Sequence, residues 1–152
     1  MNKIDIPKFI KKSITKRSVS MFSSDIENNK DVLFKCIKNK SVLVIGGAGT
    51  IGSSFIKEIL KFKPSDLVVV DINENGLTEL TRDLRSEPDQ YLPERFLTYP
   101  MNFGDKSFFK MFKRHGPFDI VANFAAHKHV RSEKDEFSIE SMIENNILKA
   151  KS

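Results

Sequence analysis

The chain of 152 residues lacks tryptophan altogether and has a single cysteine, Cys36. One cysteine cannot form an intramolecular disulfide or a cysteine-rich metal site, so the sequence predicts neither a disulfide framework nor a metal centre. No stretch approaches the roughly 20 consecutive apolar residues of a membrane-spanning helix, and the N-terminus lacks the apolar core of a secretory signal. These absences predict a cytoplasmic protein with no integral membrane segment.

An excess of positive charge is confined to the first 40 residues. They contain 10 Lys or Arg residues against 4 Asp or Glu residues, whereas the remaining residues contain 15 against 16. Such a basic leader can attract phosphates or an anionic membrane surface, although charge runs are more often solvated tails. No aromatic interleaving accompanies the charges, so we expect no nucleic-acid partner. We therefore expect a basic leader over residues 1–40 and a folded domain over residues 41–152.

Two helical patterns occur in the leader. Apolar residues between positions 4 and 14 form a loose amphipathic pattern, which we expect Pro7 to interrupt. A stronger pattern, with apolar residues at positions 26, 33, 34 and 37, predicts one helix over residues 25–37. The leader is therefore expected to contain one or two helices.

The folded domain begins with an apolar run followed by spaced glycines. Val42–Ile45 is a β-branched, apolar run typical of a buried strand, and a helical pattern follows over residues 53–60. In a strand–turn–helix unit of this kind, Gly47 would allow the sharp turn and Gly49 would let a pyrophosphate approach the backbone. Gly52 would let the helix pack closely against the strand. The pattern predicts a dinucleotide bound at the N-terminus of the helix, although a glycine-rich turn can also be purely structural.

A second apolar strand, Leu67–Val70, ends in Asp71, which lies 19 residues beyond Gly52. A carboxylate at this spacing is expected to accept hydrogen bonds from the adenosine ribose. Asp71 would repel an additional 2′-phosphate and so favours NAD over NADP. Arg82 or Arg85 could instead fold back towards a 2′-phosphate, and a plain strand-end turn acid is the structural alternative for Asp71. The cofactor is therefore expected to be NAD or NADP, with NAD slightly preferred.

Two further strands complete the predicted sheet. Strands alternating with helices favour parallel pairing through right-handed crossovers. The sequence thus predicts an α/β, doubly wound parallel sheet of Rossmann type with strand order 3-2-1-4. Asn102 and Phe103 follow the third strand, where an amide and a backbone group can bind adenine, although Asn102 is also a common turn residue. The predicted strands are 42–45, 67–70, 95–99 and 118–124.

Four segments together resemble the extended short-chain dehydrogenase/reductase superfamily. More narrowly, they resemble its polysaccharide-biosynthesis (CapD-like) branch, whose members are nucleotide-sugar 4,6-dehydratases and epimerases. The resemblance runs from about residue 25 to the end of the chain and implies a Rossmann-type domain that binds NAD or NADP and a nucleotide-sugar substrate. The segments that carry it are 46–52, 71–74, 102–105 and 123–130.

The resemblance also implies roles for individual residues. Lys128 and His129 would face the sugar-nucleotide substrate, where a cation can meet the diphosphate. Asn102 stands where the family usually carries an aspartate that binds adenine, which should weaken adenine binding without abolishing it. The residues implied in cofactor binding are Gly46, Gly49, Thr50, Ile51, Gly52, Asp71, Asn102, Phe103, Ala125 and Ala126.

The family's catalytic element is missing from the sequence. The resemblance implies a Tyr-x-x-x-Lys or Met-x-x-x-Lys pair after a fifth strand, and no Tyr or Met here is followed four positions later by Lys. We therefore assign no catalytic residue and expect the N-terminal, cofactor-binding part of a longer enzyme, truncated before the later strands and inactive alone. A free-standing, non-catalytic nucleotide-binding or regulatory module is the alternative. The uncovered sheet edge would favour association into a homo-oligomer.

Overall fold

The computed structural model describes residues 5–127 and 135–151. They divide into two compact units, the first ending at residue 35 and the second beginning at residue 36. Within the described residues, no helix has both the length and the hydropathy required to cross a bilayer. The helices and strands are, in chain order, α1 (Ile6–Phe9), a π-helical turn (Ile10–Ile14), α2 (Ser23–Asn28), α3 (Lys30–Ile37), β1 (Ser41–Ile45), α4 (Thr50–Ile59), a 3-10 turn (Leu60–Phe62), β2 (Asp66–Asp71), α5 (Glu74–Ser86), β3 (Arg95–Pro100), α6 (Lys106–His115), β4 (Ile120–Asn123), α7 (Glu136–Ile143), a π-helical turn (Glu144–Leu148) and a 3-10 turn (Lys149–Lys151).

The first unit differs from the sequence-based prediction at two positions. Pro7 does not interrupt the first helix, because it lies in the first turn of α1, where a backbone N–H is not needed. Asp5 precedes this turn, and its carboxylate accepts a hydrogen bond of 3.0 Å from the Lys8 N–H. The single helix predicted over residues 25–37 is divided at Asn29, whose side chain donates a hydrogen bond of 2.8 Å to the Asp25 carbonyl. Asparagine side chains compete for backbone groups in this way and so favour helix ends.

The second unit is built on a four-stranded parallel sheet. Its strand order is β3-β2-β1-β4, which confirms the predicted order and fold class. The central strands β1 and β2 bury Val42–Ile45 and Leu67–Val70, as expected for strands covered on both faces. On α5 the leucines at positions 77, 80 and 84 are buried, and the Asn73 side chain caps its N-terminus. The continuous apolar runs of the sequence therefore form the centre of the sheet.

Two element boundaries were predicted wrongly. Helix α4 begins at Thr50 rather than at residue 53, because the chain turns helical directly after Gly49 and Gly52 lies inside the helix. Glycine has a low helix propensity, so the pattern alone placed the start too late. Strand β4 covers only Ile120–Asn123 instead of 118–124, and Asp119 makes side-chain contacts to the start of β1.

Asp119 joins the amino ends of β1 and β4. Its Oδ2 accepts hydrogen bonds of 2.9 Å from both the N–H and the hydroxyl of Ser41, and its Oδ1 lies 3.1 Å from the Lys40 ammonium. The Ser41 hydroxyl in turn accepts a bond of 3.0 Å from the Asp119 N–H. The bonds from Ser41, followed by the one from Lys40, lower the pKa of Asp119 to about 2.

We predict that Asp119→Asn destabilises the protein at neutral pH and that the difference from the wild type disappears in acid. The unfolded carboxyl titrates near 3.8, so the contribution of Asp119 is fully present above that pH and is lost as the pH falls towards about 2. Urea midpoints measured from pH 7 to pH 2 test this. The matched control is Asp83→Asn on the exposed side of α5. A gap between wild type and Asp119→Asn that stays constant down to pH 2 would show that the carboxylate is not the stabilising form.

Candidate functional site

A crevice lies at the carboxyl ends of the sheet strands, with a volume of about 330 Å³. Ligands of open α/β sheets bind at this edge, where the order of the strands reverses. The structure brings seven of the ten predicted cofactor residues into the lining of this crevice: Gly46, Gly49, Asp71, Asn102, Phe103, Ala125 and Ala126.

The remaining three predicted cofactor residues, Thr50, Ile51 and Gly52, form the first turn of α4 and do not line the crevice. The side chains of Thr50 and Ile51 are exposed, whereas Gly52 is buried. A Cβ on Gly52 would collide with the Gly46 carbonyl oxygen, so this glycine permits the close approach of helix and turn. The first N–H groups of a helix have no partner within it, so this turn can offer backbone donors without its side chains.

The sharp turn after β1 occurs at Gly46 and not, as predicted, at Gly47. Gly46 has a φ of +75°, which disfavours residues with a side chain, and a Cβ there would lie 2.5 Å from the Ala125 backbone nitrogen. A Cβ on Gly47 would instead collide with Val69 Cγ1 in the core. Gly47 is therefore required for packing against β2, and Gly46 provides the turn.

Gly49 is the glycine that faces open space. A Cβ built there would meet only the Gly46 carbonyl oxygen, at 3.5 Å, which is ordinary van der Waals contact. Gly49 also has extended backbone angles that any residue can adopt, and its carbonyl accepts a bond of 2.8 Å from the Ser53 N–H. No contact in the described fold requires a glycine at this position, which is the N-cap of α4, so the lack of a side chain leaves room beside the first turn of that helix.

Asp71 connects the end of β2 to the glycine turn. Its Oδ2 accepts a hydrogen bond of 2.9 Å from the Ala48 N–H, and its Oδ1 accepts one of 2.9 Å from the Asn73 N–H. A carboxylate offers about four lone-pair positions, so each oxygen keeps capacity for a further donor. Asp71 thus has a structural role, which sequence reasoning held as the alternative, and it still faces the crevice.

Asn102 and Phe103 lie after β3 on the far side of the crevice. The Asn102 Oδ1 accepts a hydrogen bond of 2.9 Å from the Gly104 N–H, so the side chain stabilises a turn. The Phe103 ring is buried in the core with Leu43 and Val68. For Phe103 the backbone is therefore the group available to a ligand, while the Asn102 amide keeps its two donors and one acceptor position.

The segment after β4 is held by Asn146. The His127 N–H donates to Asn146 Oδ1 and the Asn146 amide donates to the His127 carbonyl, both at 2.8 Å. This reciprocal pair fixes the chain just beyond Ala125 and Ala126. The two predicted substrate residues, Lys128 and His129, lie outside the described residues.

Asn145 is a crevice residue that sequence reasoning missed. Its side chain is only 6% exposed, lines the crevice and donates a bond of 3.2 Å to Asn146 Oδ1. In the same stretch the apolar residues Ile139, Ile143 and Ile147 are exposed, so they do not indicate the buried side. The paired amides at 145 and 146 were the available signal. Among the residues that the structure describes, no three His, Cys, Asp or Glu side chains are grouped to hold a metal ion.

A parallel 3-2-1-4 sheet with a glycine turn after β1 and an acid at the end of β2 defines a Rossmann-type α/β protein. Residues 42–152 match the family described as "Polysaccharide biosynthesis protein". The chain belongs to this family.

The chain is also similar to individual proteins. It is 29% identical over 136 residues to the probable polysaccharide biosynthesis protein EpsC of Bacillus subtilis, covering 90% of this chain and 21% of EpsC. The crystal structure of Pen from Bacillus thuringiensis superposes with a TM-score of 0.60 at 25% identity, over 76% of this chain and 34% of Pen. The structure of Bordetella bronchiseptica WbmF in complex with NAD+ and UDP superposes with a TM-score of 0.54 at 21% identity, over 74% of this chain and 30% of WbmF. The chain thus spans about a fifth of EpsC and about a third of these structures.

We predict that Gly47→Ala destabilises the protein by about 1–3 kcal/mol through overpacking against Val69, whereas Gly49→Ala costs clearly less, because its Cβ meets open space and only the preference for glycine over alanine at the N-cap of α4 is lost. The two variants add the same methyl group two residues apart, so each serves as the control for the other. Equilibrium urea unfolding measures the difference. Equal losses at both positions would contradict the distinction between a packing glycine and an exposed one.

Proposed function

We propose that residues 36–152 bind a nicotinamide dinucleotide in the crevice, with its pyrophosphate over Gly49 and the first turn of α4. The unfilled space above Gly49 carries this proposal, because no packing contact in the described fold requires a glycine there. Backbone N–H groups at a helix N-terminus, together with the positive end of the helix dipole, stabilise phosphate. Gly46 and Gly52 keep the turn against the helix, and Thr50 and Ile51 contribute backbone groups.

The adenosine half of the cofactor is assigned to the ends of β2 and β3. The free lone pairs of Asp71 accept the ribose hydroxyls, and the Asn102 amide and the Phe103 backbone bind adenine. A 2′-phosphate would lie against the Asp71 carboxylate, which disfavours NADP. The nicotinamide half would pass Ala125 and Ala126, where small side chains leave room. NAD is therefore the proposed cofactor.

The whole protein is proposed to be a cytoplasmic nucleotide-sugar 4,6-dehydratase or epimerase of surface-polysaccharide biosynthesis, with a UDP-N-acetylhexosamine as its substrate. Membership of the polysaccharide biosynthesis family supports this, as does the fold shared with WbmF, whose structure contains NAD+ and UDP. Lys128 and His129 are proposed to face the substrate. In such an enzyme the bound nicotinamide takes up and returns a hydride.

The catalytic base is proposed to lie outside these 152 residues, because they contain no Tyr-x-x-x-Lys or Met-x-x-x-Lys pair. By themselves the described residues are then expected to bind cofactor without turning over a nucleotide sugar. The same missing pair favours the second candidate, a non-catalytic nucleotide-binding module. The two candidates share the cofactor site and differ in whether a base is supplied elsewhere.

We predict that the 152-residue chain binds NAD+ and that Gly49→Val weakens this binding at least tenfold, since the added side chain occupies the pyrophosphate position. A lost charge-assisted contact of about 1.5–3 kcal/mol corresponds to roughly this factor or more. Isothermal titration calorimetry of both proteins provides the measurement.

The matched control is Ser54→Val, which adds a similar side chain to the exposed side of α4 away from the crevice. Thermal unfolding checks that both variants are folded. Wild-type affinity in folded Gly49→Val would contradict the pyrophosphate assignment, and absence of NAD+ binding to the wild type would contradict the cofactor proposal as a whole.

We further predict that the wild type binds NAD+ more tightly than NADP+ and that Asp71→Asn narrows this preference. The substitution keeps one acceptor oxygen for the backbone N–H groups while it removes the charge that repels the 2′-phosphate. Titrations of each protein with NAD+ and with NADP+ give the ratio of the two affinities. If the substitution also weakens the turn, both affinities fall together and their ratio is unaffected. Tighter binding of NADP+ by the wild type would show that Asp71 does not select the cofactor.

A further inference from the structure

Large apolar side chains of the first unit are exposed along its N-terminal part. On α1 and the following π-helical turn, Ile6, Phe9 and Ile14 are 63%, 54% and 64% exposed, and Ile10 is also exposed. Neither this π-helical turn nor α2 contains a buried residue. Exposed apolar side chains that occur singly are ordinary, whereas a contiguous series indicates an interaction surface.

The exposed residues of this helical segment are segregated by chemistry. With about 100° per residue in α1 and a smaller angle per residue in the π-helical turn, Ile6, Phe9, Ile10 and Ile14 fall within less than half of the helix circumference. Lys8, Lys11 and Lys12 lie on the rest of it. The segment is therefore amphipathic, with one apolar side and one basic side.

The same part of the chain carries a strong positive charge. Residues 5–17 contain five Lys or Arg residues and one acid, Asp5. Among the residues that the structure describes, the charged side chains of this segment make one hydrogen bond, in which the Asp5 carboxylate accepts from the Lys8 backbone N–H. A partner of this segment must therefore offer both apolar material and negative charge.

We propose that residues 5–22 bind the surface of an anionic phospholipid bilayer, with the apolar side chains among the acyl chains and the lysines at the lipid phosphates. The segment lies along the membrane and does not cross it. Segregated apolar and basic sides are the features of helices that lie in the interfacial plane, and each Lys or Arg near an anionic surface adds to the affinity.

The distribution of the apolar residues favours lipid over a protein groove. Beyond the helical segment the exposed series continues through Val19, Met21 and Phe22, in a stretch without regular helix. A groove that accepts a helix needs anchors at helical spacing, whereas a fluid acyl layer accommodates irregular spacing. A nucleic acid would pair with the lysines but leave all these apolar side chains in water.

The absence of tryptophan gives a direct test in the intact chain. Phe9→Trp places the only indole on the apolar side of the segment, and Phe137→Trp places one at an exposed position of α7 as the control. We expect the emission of Phe9→Trp to shift to the blue with vesicles of phosphatidylglycerol and phosphatidylcholine. We expect no shift with phosphatidylcholine vesicles alone, and none for Phe137→Trp with either.

Variants separate the contribution of the apolar side chains to vesicle binding from that of the lysines. In the Phe9→Trp background, the double substitution of Ile10→Gln with Ile14→Gln should weaken vesicle binding roughly tenfold or more, and so should the triple substitution Lys8→Gln, Lys11→Gln and Lys12→Gln. Glutamine preserves helix propensity, so the segment can still form its helix. The matched control removes three exposed lysines of the second unit by Lys57→Gln, Lys106→Gln and Lys110→Gln and should bind like the parent.

Three results would overturn the proposal. If the isoleucine variant binds vesicles as tightly as its parent, the apolar side chains do not contribute and only nonspecific attraction of charge remains. If the second-unit lysine control loses as much vesicle binding as the triple substitution in the segment, the attraction is likewise nonspecific. A blue shift that grows with protein concentration without vesicles would assign the apolar side to a second copy of the chain. Thermal unfolding and NAD+ titration of every variant show whether the second unit is intact, so this test and that of the proposed function can fail separately.

Discussion

The close approach of backbone segments at Gly46 is the constraint on which the rest of the structure depends. Its N–H donates to the Val70 carbonyl at 2.7 Å, and its carbonyl accepts from the Gly49 N–H at 3.3 Å. On the other side its Cα faces the Ala125 nitrogen, so closely that a Cβ does not fit. One residue thus joins the end of β1 to β2, to the start of α4 and to the segment after β4. The crevice forms because these elements meet at a residue without a side chain.

This arrangement separates the residues that build the turn from those that are free to meet a ligand. Gly46, Gly47 and Gly52 are each required by a neighbouring backbone or core side chain, whereas Gly49 is not. The proposed contact with pyrophosphate therefore falls on the one glycine of this turn that packing does not explain. A glycine without a packing role indicates a ligand position more specifically than glycine spacing does.

The sequence predicted the sheet well because its signal is strong and local. The continuous apolar runs at 42–45 and 67–70 are short and mostly β-branched, which favours a buried strand over a buried helix, and the alternation with helices then favours parallel order. The predicted role of Gly47 in the sharp turn was wrong. Glycine spacing cannot distinguish a glycine with positive φ, such as Gly46, from one that makes room for a core side chain, as Gly47 does for Val69. Asn145 was missed because the paired amides at 145 and 146 do not show by themselves which side chain the crevice encloses; that depends on where the turn after α7 meets the crevice. The break at Asn29 is accompanied by a side-chain-to-backbone bond, which the spacing of apolar residues does not reveal.

A comparison of Asp119 and Asp71 explains why one carboxylate is structural and the other is left for a ligand. Both lie beside parallel strands and accept backbone N–H groups. Asp119 accepts two bonds at Oδ2, and its Oδ1 is paired with Lys40, so its capacity is largely used within the fold. Asp71 accepts one hydrogen bond at each oxygen and forms no ion pair with any residue that the structure describes. A carboxylate held by two N–H donors with lone pairs directed at a crevice is fixed in position before a ligand arrives, which reduces the ordering cost of binding a ribose diol.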